Sequence, residues 1–561
     1  MTPDRHAARL GRPFSTKEVV DFVVVGSGAA GGVVARELAR AGYSVVVLEQ
    51  GPHLDKPDFT HDEFANFALS KLTANPKTKP QTYRLTEADT AKEQTCLVYA
   101  TLVGGTSVHY AANFWRFRDV DFSEGSRTSG VPGASLADWP ITYTDLEPYY
   151  TRAEWEVGIS GQAGVNPKEP FRSKPYPMPP IPLTGPGALL EVAGKKLGWL
   201  VQPAPMAILS QPYRGRHQCM ACGFCWGFGC EWGAKSSTLF SMIPDAVASG
   251  RCEVRPLSYV REVEMDDSGR ATGVVYFDAN KQEVRQRAKV VVLCANGAET
   301  PRLLLMSKSN RFPDGLANSS GLVGKNLMFN GGAISGGRFE HPVNGYRGAP
   351  VSRITLEWYE FDPALNLSGG AGMDFRHPGG PMLWSMLAMP PSAPKWGAGL
   401  KHVLRDYYTN SCMAFGHTTS LPQPTNTIDL DPTVVDAWGL PAIRVTYKNH
   451  ENDMRLMTYM GERCIEALNA AGALETWSLP VQESPGRGFH LLGTCRMGND
   501  PAHSVVDRWH RTHDVPNLFL VDGSSFVTSG RGQPTLTITA LAFRAAEGMA
   551  RAAKRGDLGN S

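Results

Sequence analysis

The chain lacks the features that would take it out of the ordinary globular class. No window is apolar enough over the roughly 18 residues that a membrane-crossing helix needs. Charge is nearly balanced, with 56 Lys and Arg against 54 Asp and Glu, so composition gives no sign of a nucleic-acid or strongly acidic partner. Internal repeats and low-complexity tracts are absent. The opening MTPDRHAARLGRPFSTKE carries basic residues but no apolar core behind them, so it does not read as an export signal. The expectation is a cytoplasmic protein, or a periplasmic one exported alongside a partner that carries its own signal. Six cysteines, Cys96, Cys252, Cys294, Cys412, Cys464 and Cys495, are scattered singly, which points to reduced thiols rather than a disulfide framework. What is present is 561 residues, 42% of them hydrophobic, with 58 Gly and 41 Pro. That is enough chain for two domains, or one large domain with an insertion, with many turns and ordered loops.

The first strong pattern starts at Val19–Val25, a run of β-formers that reads as a buried parallel strand. GSGAAGG follows, in which Gly26, Gly28 and Gly31 make G-x-G-x-x-G at the start of a helical stretch ending near Ala41. A second buried strand, Ser44–Leu48, ends at Glu49. A lone glycine triplet is weak evidence, but this one has the strand before it, the helix after it and the acid beyond. Gly26 makes the turn, Gly28 lets the backbone approach a pyrophosphate, and Gly31 lets helix and strand pack closely. The helix N-terminus faces the phosphates, and Glu49 accepts from a ribose hydroxyl. Further on, 252–295 reads as strands, 331–480 as alternating segments with many turns, and 535–554 as a long helix. KPYPMPPIPLTGP reads as an extended connector. The fold class is α/β, a doubly wound dinucleotide-binding domain with a separate, mainly antiparallel β-sheet domain. The expected division is a discontinuous nucleotide domain (18–160, 235–325 and 485–556), a connector (161–234) and a substrate domain (326–484).

The connector holds HQCMACGFCWGFGC, with Cys219, Cys222, Cys225 and Cys230 spaced C-x2-C-x2-C-x4-C. Three readings stand side by side. Zinc usually wants two pairs separated by a longer loop, which this segment lacks. A second reading is a structural loop without metal. An iron–sulfur cluster takes three or four thiolates from a tight loop, and Gly223, Gly227 and Gly229 suit backbone N–H groups turned toward sulfur. Phe224, Trp226 and Phe228 would shield such a cluster from water.

VVVGSGAAGGVVA, VGGTSVHY, KVVVLCANGAETPRLLL, FHLLGTCRMG and NLFLVDGSSFVTSGRGQPTLTITALA together resemble the glucose-methanol-choline (GMC) family of flavin oxidoreductases. The resemblance covers most of the chain outside 331–420. It implies FAD, with Gly26, Gly28, Gly31 and Glu49 on the ADP half. Gly104, Gly105 and Thr106 would pass near the flavin, Val260 the adenine, and Asp522 and Gly523 the ribityl and pyrophosphate region. It also implies that His490 is the base that takes a hydroxyl proton. Gln533 stands where the family carries His or Asn, and orients the substrate hydroxyl. Within the family the chain is most similar to pyranose oxidases and to sugar and gluconate dehydrogenase flavin subunits. The former implies that His109 carries the flavin covalently, against the plainer reading of a histidine packed beside it. The latter implies that the four cysteines serve a three-iron cluster, which would use three of them. The expected function is dehydrogenation of a secondary hydroxyl, at ring C2 or C3, of a sugar or glycoside. Electrons would leave through the cluster to an external acceptor, a cytochrome or quinone-linked partner, with a small companion subunit possible. Rival expectations are oxidation of aromatic or aliphatic alcohols, oxygen as acceptor, a non-redox lyase, and a redox sensor without turnover. Trp384, Trp396 and Trp438 are candidates to stack on substrate. His402, His417, His503, His510 and His513 have no comparable context and read as surface or core residues.

Overall fold

The computed structural model describes residues 6–128, 130–360 and 363–558. Val20–Val25 is extended because β-branched side chains fill both of its faces, and five of its six residues are buried. It pairs in parallel with Val45–Leu48 on one side and with the end of Glu283–Leu293 on the other. Cys252–Arg255 adds beyond Val45–Leu48, and Leu518–Leu520 pairs in parallel with Val291–Leu293. These strands form the parallel heart of an eight-stranded sheet. The long strand Glu283–Leu293 serves two ladders. Its first half pairs antiparallel with Ala271–Phe277, which in turn pairs with Tyr259–Met265. Helix Gly31–Arg40 packs between this sheet and the long helix Thr535–Lys554.

A six-stranded sheet, antiparallel throughout, stands apart. It runs in the order Glu475–Ser478, Gly331–Arg338, Ser411–Thr418, Ala371–Arg376, Arg353–Thr355 and Val201–Pro203. Period-two alternation decides its two faces. Met373, Phe375, Cys412 and Ala414 pack in one apolar cluster with Leu190 and Ala193 of helix Gly185–Leu197, and with Leu456, Met460, Cys464 and Leu468 of helix Glu451–Ala470. Asp374, Arg376, Phe415 and His417 lie on the opposite face. Gly185–Leu197 and Val201–Pro203, inside the 161–234 segment read as connector, are thus a covering helix and an edge strand of this sheet. A four-stranded sheet joins Thr427–Val435 and Pro441–Thr446, an antiparallel pair, to Gln81–Arg84 and Lys92–Glu93. Among the described residues, no helix is long and apolar enough to cross a membrane.

Candidate active site

One continuous cavity of about 1050 Å³ runs from the edge of the parallel sheet to the polar face of the antiparallel one. Its first end is lined by Glu49, Gln50, Ser258 and Val260, its middle by Gly26, Ser27, Gly28, Gly105, Thr106, Asp522 and Gly523. The glycines divide their work. Gly26 has φ +94°, and a Cβ there would meet the Cys294 carbonyl oxygen at 2.5 Å. A Cβ on Gly31 would lie 2.0 Å from the Gly26 carbonyl oxygen, so that glycine closes the helix onto the turn. Gly105, at φ +60°, lets its backbone cross Gly28, whose Cα would be 2.7 Å from an added Cβ. Gly104 stands behind the wall and donates its N–H to Ser27 Oγ at 3.0 Å.

The acids are held rather than free. Glu49 Oε2 accepts from the Ser27 N–H (3.1 Å) and hydroxyl (2.7 Å), and Oε1 accepts from the Gly51 N–H. Asp522 accepts from the N–H groups of Asn296 and Ser524 and from the Thr300 hydroxyl. Burial pushes both carboxyls above their ordinary range, against these hydrogen bonds. Glu49 so placed can receive a ribose hydroxyl. Asp522 braces the turn at Gly523 as well as lining the cavity.

The far end gathers Asn330, Arg376, Phe415, His417, His490 and Gln533. His490 Nδ1 lies 2.7 Å from Asn330 Oδ1. The Asn330 amide is oriented by its nitrogen, which donates to the carbonyls of Thr418, Ser529 and Gly530. Its oxygen must therefore accept, so His490 Nδ1 carries the hydrogen and Nε2 holds a lone pair. Burial lowers the His490 pKa to about 3, with the neighbouring His417 and Arg376 in the same direction. A neutral imidazole with a free nitrogen can accept a hydroxyl proton, and the lowered pKa makes it a weak base that depends on close placement of the hydroxyl. Gln533, at the mouth of helix Thr535–Lys554, places its amide nitrogen 3.1 Å from His417 Nδ1. His417 Nε2 lies 2.7 Å from Asp374 Oδ2, and Asp374 is paired with Arg376.

Two further residues face the cavity with nothing to bond. His109 Nε2 and both polar atoms of the Asn113 side chain are buried without a hydrogen-bond partner. Unpaired buried polar atoms are costly, so these await a polar ligand. Burial, and then the nearby Lys235 charge, holds the His109 pKa at about 4. The carbonyl of His109 accepts from the Gly227 N–H at 2.8 Å, which fastens the cysteine loop to the cavity wall. Trp226 and Gly227 line the cavity themselves. All four loop cysteines are free thiols, and burial raises Cys219, Cys222 and Cys225. Backbone N–H groups of Ala221 and Lys235 point at the sulfurs of Cys219 and Cys230, each at 3.4 Å. Ala221, Gly223 and Gly227 have positive φ, the conformation that turns successive N–H groups inward. The buried Lys235 ammonium donates to the carbonyls of Tyr110, Cys225 and Phe228 and so holds the loop's ends together.

The structure therefore unites the predicted residues of both cavity ends and places the four-cysteine loop against one wall. Two expectations change. His417, read as a surface or core residue, is part of the site, because a strand register puts it on the polar face. Trp384, Trp396 and Trp438 do not line the cavity: Trp384 is core, Trp396 is 84% exposed, and Trp438 packs on Tyr259. Trp226 is the tryptophan that does. No three His, Cys, Asp or Glu side chains among the described residues converge on a point that would hold a metal ion, the four loop cysteines included. Asn113, Asn330, Asp374 and Arg376 were missed. Only Asn113 left a local signal, a lone amide in the apolar and aromatic run YAANFWRF.

A nucleotide cradle that opens onto a neutral histidine base defines a dinucleotide-dependent oxidoreductase. Residues 20–330 and 422–542 match the N- and C-terminal family models of GMC oxidoreductase, and the chain belongs to that family. It is an FAD-dependent enzyme acting on alcohol or sugar hydroxyls. The chain is 37% identical to 2-methyl-1,2-propanediol dehydrogenase of Mycolicibacterium austroafricanum over 96% of each chain. It is 31% identical to the fructose dehydrogenase large subunit of Gluconobacter japonicus, over 96% of this chain and 98% of that one. In fold it resembles formate oxidase of Aspergillus oryzae, with a TM-score of 0.68 at 16% identity, covering 97% of this chain and all of the other.

Proposed function

We propose that the protein dehydrogenates a secondary hydroxyl, at ring C2 or C3, of a neutral sugar or glycoside and passes the electrons to an external acceptor through an iron–sulfur centre. The observation that carries the first half is the His490 tautomer. Its Nε2 lone pair stands at the cavity end where a substrate hydroxyl can release its proton, while Gln533 supplies a second polar contact to the same oxygen. FAD, when bound, would supply the acceptor for the hydride that leaves the carbinol carbon. Glu49 and Val260 would hold its adenosine end, and the Gly26–Gly28 and Gly105–Thr106 turns its pyrophosphate. His109 and Asn113 would flank the ring, and His109 Nε2 is the nitrogen through which a covalent link would form. With such a link, acid-precipitated protein stays yellow; a colourless pellet means that His109 only packs there. The substrate is neutral because Arg376 is already paired with Asp374, and the other arginine lining the cavity, Arg487, lies on an exposed segment.

The second half rests on the cysteine loop's place at the cavity wall, where Trp226 and Gly227 line the cavity and the Gly227 N–H donates to the His109 carbonyl. The loop's N–H groups aimed at sulfur fit a cluster of several irons better than one ion. Gluing the relay to this wall shortens the path by which electrons leave, toward a cytochrome or quinone-linked acceptor or a companion subunit. Iron and sulfide analysis of protein purified without oxygen tests it. The expected result is iron and sulfide in the wild type and their loss when Cys219, Cys222, Cys225 and Cys230 are all replaced by Ser, with substrate still bleaching the flavin in both. Iron-free wild type, reduced by substrate and reoxidised only by oxygen, contradicts it. One feature favours a second substrate reading, a small aliphatic alcohol: Leu383, Met386, Leu387, Phe415 and Met457 give the far end an apolar wall.

A further inference from the structure

Gln533 does not stand alone. Strands Ala371–Arg376 and Ser411–Thr418 pair so that Gly372 faces His417 and Asp374 faces Phe415. Asp374 and His417 are thus diagonal neighbours on one face of the sheet, within reach of each other. The carboxylate of Asp374 is shared: Arg376 approaches both oxygens, and His417 Nε2 lies 2.7 Å from Oδ2. Arg376 Nη2 also lies 3.0 Å from His417 Nε2, and the shorter 2.7 Å contact to Asp374 Oδ2 assigns the ring hydrogen to Nε2. An ionised carboxylate can only accept, so His417 Nε2 carries its hydrogen and Nδ1 keeps a lone pair. Gln533 must then give an N–H to Nδ1, at 3.1 Å, which fixes which way round its amide sits. The second N–H of the same amide is left for the cavity. Asp374, Arg376 and His417 are all buried, so water does not compete for these bonds. Burial lowers the His417 pKa, and Arg376 acts in the same direction, while Asp374 opposes them, so the ring is neutral and the tautomer holds.

We propose that Asp374 and His417 are positioning residues that set the Gln533 amide with an N–H toward the reacting oxygen, so that Gln533 donates to that oxygen while His490 takes its proton. Two side chains around one hydroxyl then have opposite duties, each fixed by a separate neighbour: Asn330 makes His490 an acceptor, and His417 makes Gln533 a donor. A donor pre-aimed at an oxygen that gains negative charge lowers the barrier, because the amide need not reorient as the charge develops. The same amide turned over would offer an acceptor there, and would compete with His490 for the hydroxyl hydrogen in the resting complex.

The inference rests on the oxidoreductase reading of the site. Its test is a thermodynamic cycle on anaerobic flavin bleaching, using a sugar or alcohol that reduces the wild type. Rates are read per bound flavin, so partial loss of fold or of FAD does not enter. His417→Phe keeps a ring in the space and removes the acceptor; Asp374→Asn keeps the shape and removes the fixed charge. Each is expected to slow the limiting rate roughly ten- to a hundredfold, with substrate affinity changed by less than about threefold. In a Gln533→Ala background either change should cost less than about a further twofold, because its target is gone. A structural role gives the opposite pattern, in which the losses multiply. Multiplying losses, or single variants that reduce at the wild-type rate, overturn the positioning role of Asp374 and His417 and leave the oxidoreductase reading intact. A wild-type flavin that no alcohol or sugar bleaches overturns both.

Discussion

At the scale of single residues, the chemistry depends on which ring nitrogen of His490 carries hydrogen. The Asn330 amide decides it, because three backbone carbonyls hold its nitrogen and leave only its oxygen for the ring. Replacing His490 with Ala should lower the rate of flavin reduction by about 10²–10⁴ while FAD stays bound, which stopped-flow bleaching with a flavin assay measures. The direction of the pH effect follows from burial. With a pKa of about 3, His490 is already neutral at mildly acidic pH and becomes unable to accept only as pH falls toward that value. The limiting rate should therefore be flat from about pH 5 to 8, whereas an acid limb near the ordinary histidine value of about 6.5 would place the ring in water. His490 is legible in the sequence because FHLLGTCRMG surrounds it. His417 is not, since a histidine in an alternating strand looks like any other core residue. Asn330, Asp374 and His417 come from separate segments, and no local spacing connects them.

At the scale of elements, the two glycines of the first turn separate folding from binding. A Cβ on Gly31 collides with the Gly26 carbonyl at 2.0 Å, and that backbone cannot swing aside as the end of a side chain would. A Cβ on Gly28 meets only Gly105 Cα, at an ordinary 3.7 Å, and otherwise enters the cavity. Gly31→Ala is expected to destabilise the apoprotein by about 1–3 kcal/mol or more. Gly28→Ala should leave its melting temperature unchanged and lower FAD retention instead. Calorimetry of the apoproteins beside flavin titration distinguishes them, and equal loss of stability in both would contradict this division. The strand–turn–helix–strand unit was readable because its signals are local, a run of β-formers, fixed glycines and one acid. One end of the antiparallel sheet was not. Val201–Pro203 and Arg353–Thr355 are three residues each, too short for periodicity, and register with distant strands defines them. The cysteine loop announced itself by spacing, but its hydrogen bond to the carbonyl of His109 is a tertiary fact that no spacing contains.

At the scale of the whole molecule, burial of neutral histidines links stability to pH. His109 and His377 are held at about 4, and His490 and His510 at about 3, all mainly by burial. Between about 6.5 and these values the unfolded chain binds protons that the folded chain refuses, so stability rises with pH in this window and is lost as pH falls through it. Asp453, raised to about 7 by burial, works the other way, since folding is favoured there while the carboxyl stays protonated. His510 isolates the effect, being fully buried and remote from substrate chemistry, its Nδ1 bonded to the Leu520 carbonyl. At φ +67°, Asn is the replacement its backbone accepts best. His510→Asn should flatten the dependence of melting temperature on pH between about 6.5 and 3. An unchanged slope would mean that the ring titrates normally in the folded protein.

The two cavity ends, the histidine base and the cysteine loop meet in one chain of events, and one measurement addresses it directly. Purified without oxygen, the protein is titrated anaerobically with neutral sugars, glycosides, and aliphatic and aromatic alcohols, while the flavin bands are followed. Bleaching by a neutral hydroxyl compound, abolished by His490→Ala and reversed by a one-electron acceptor, is the result expected. A flavin that stays oxidised with every hydroxyl compound, in protein that retains FAD, would contradict the assignment of this cavity to alcohol oxidation.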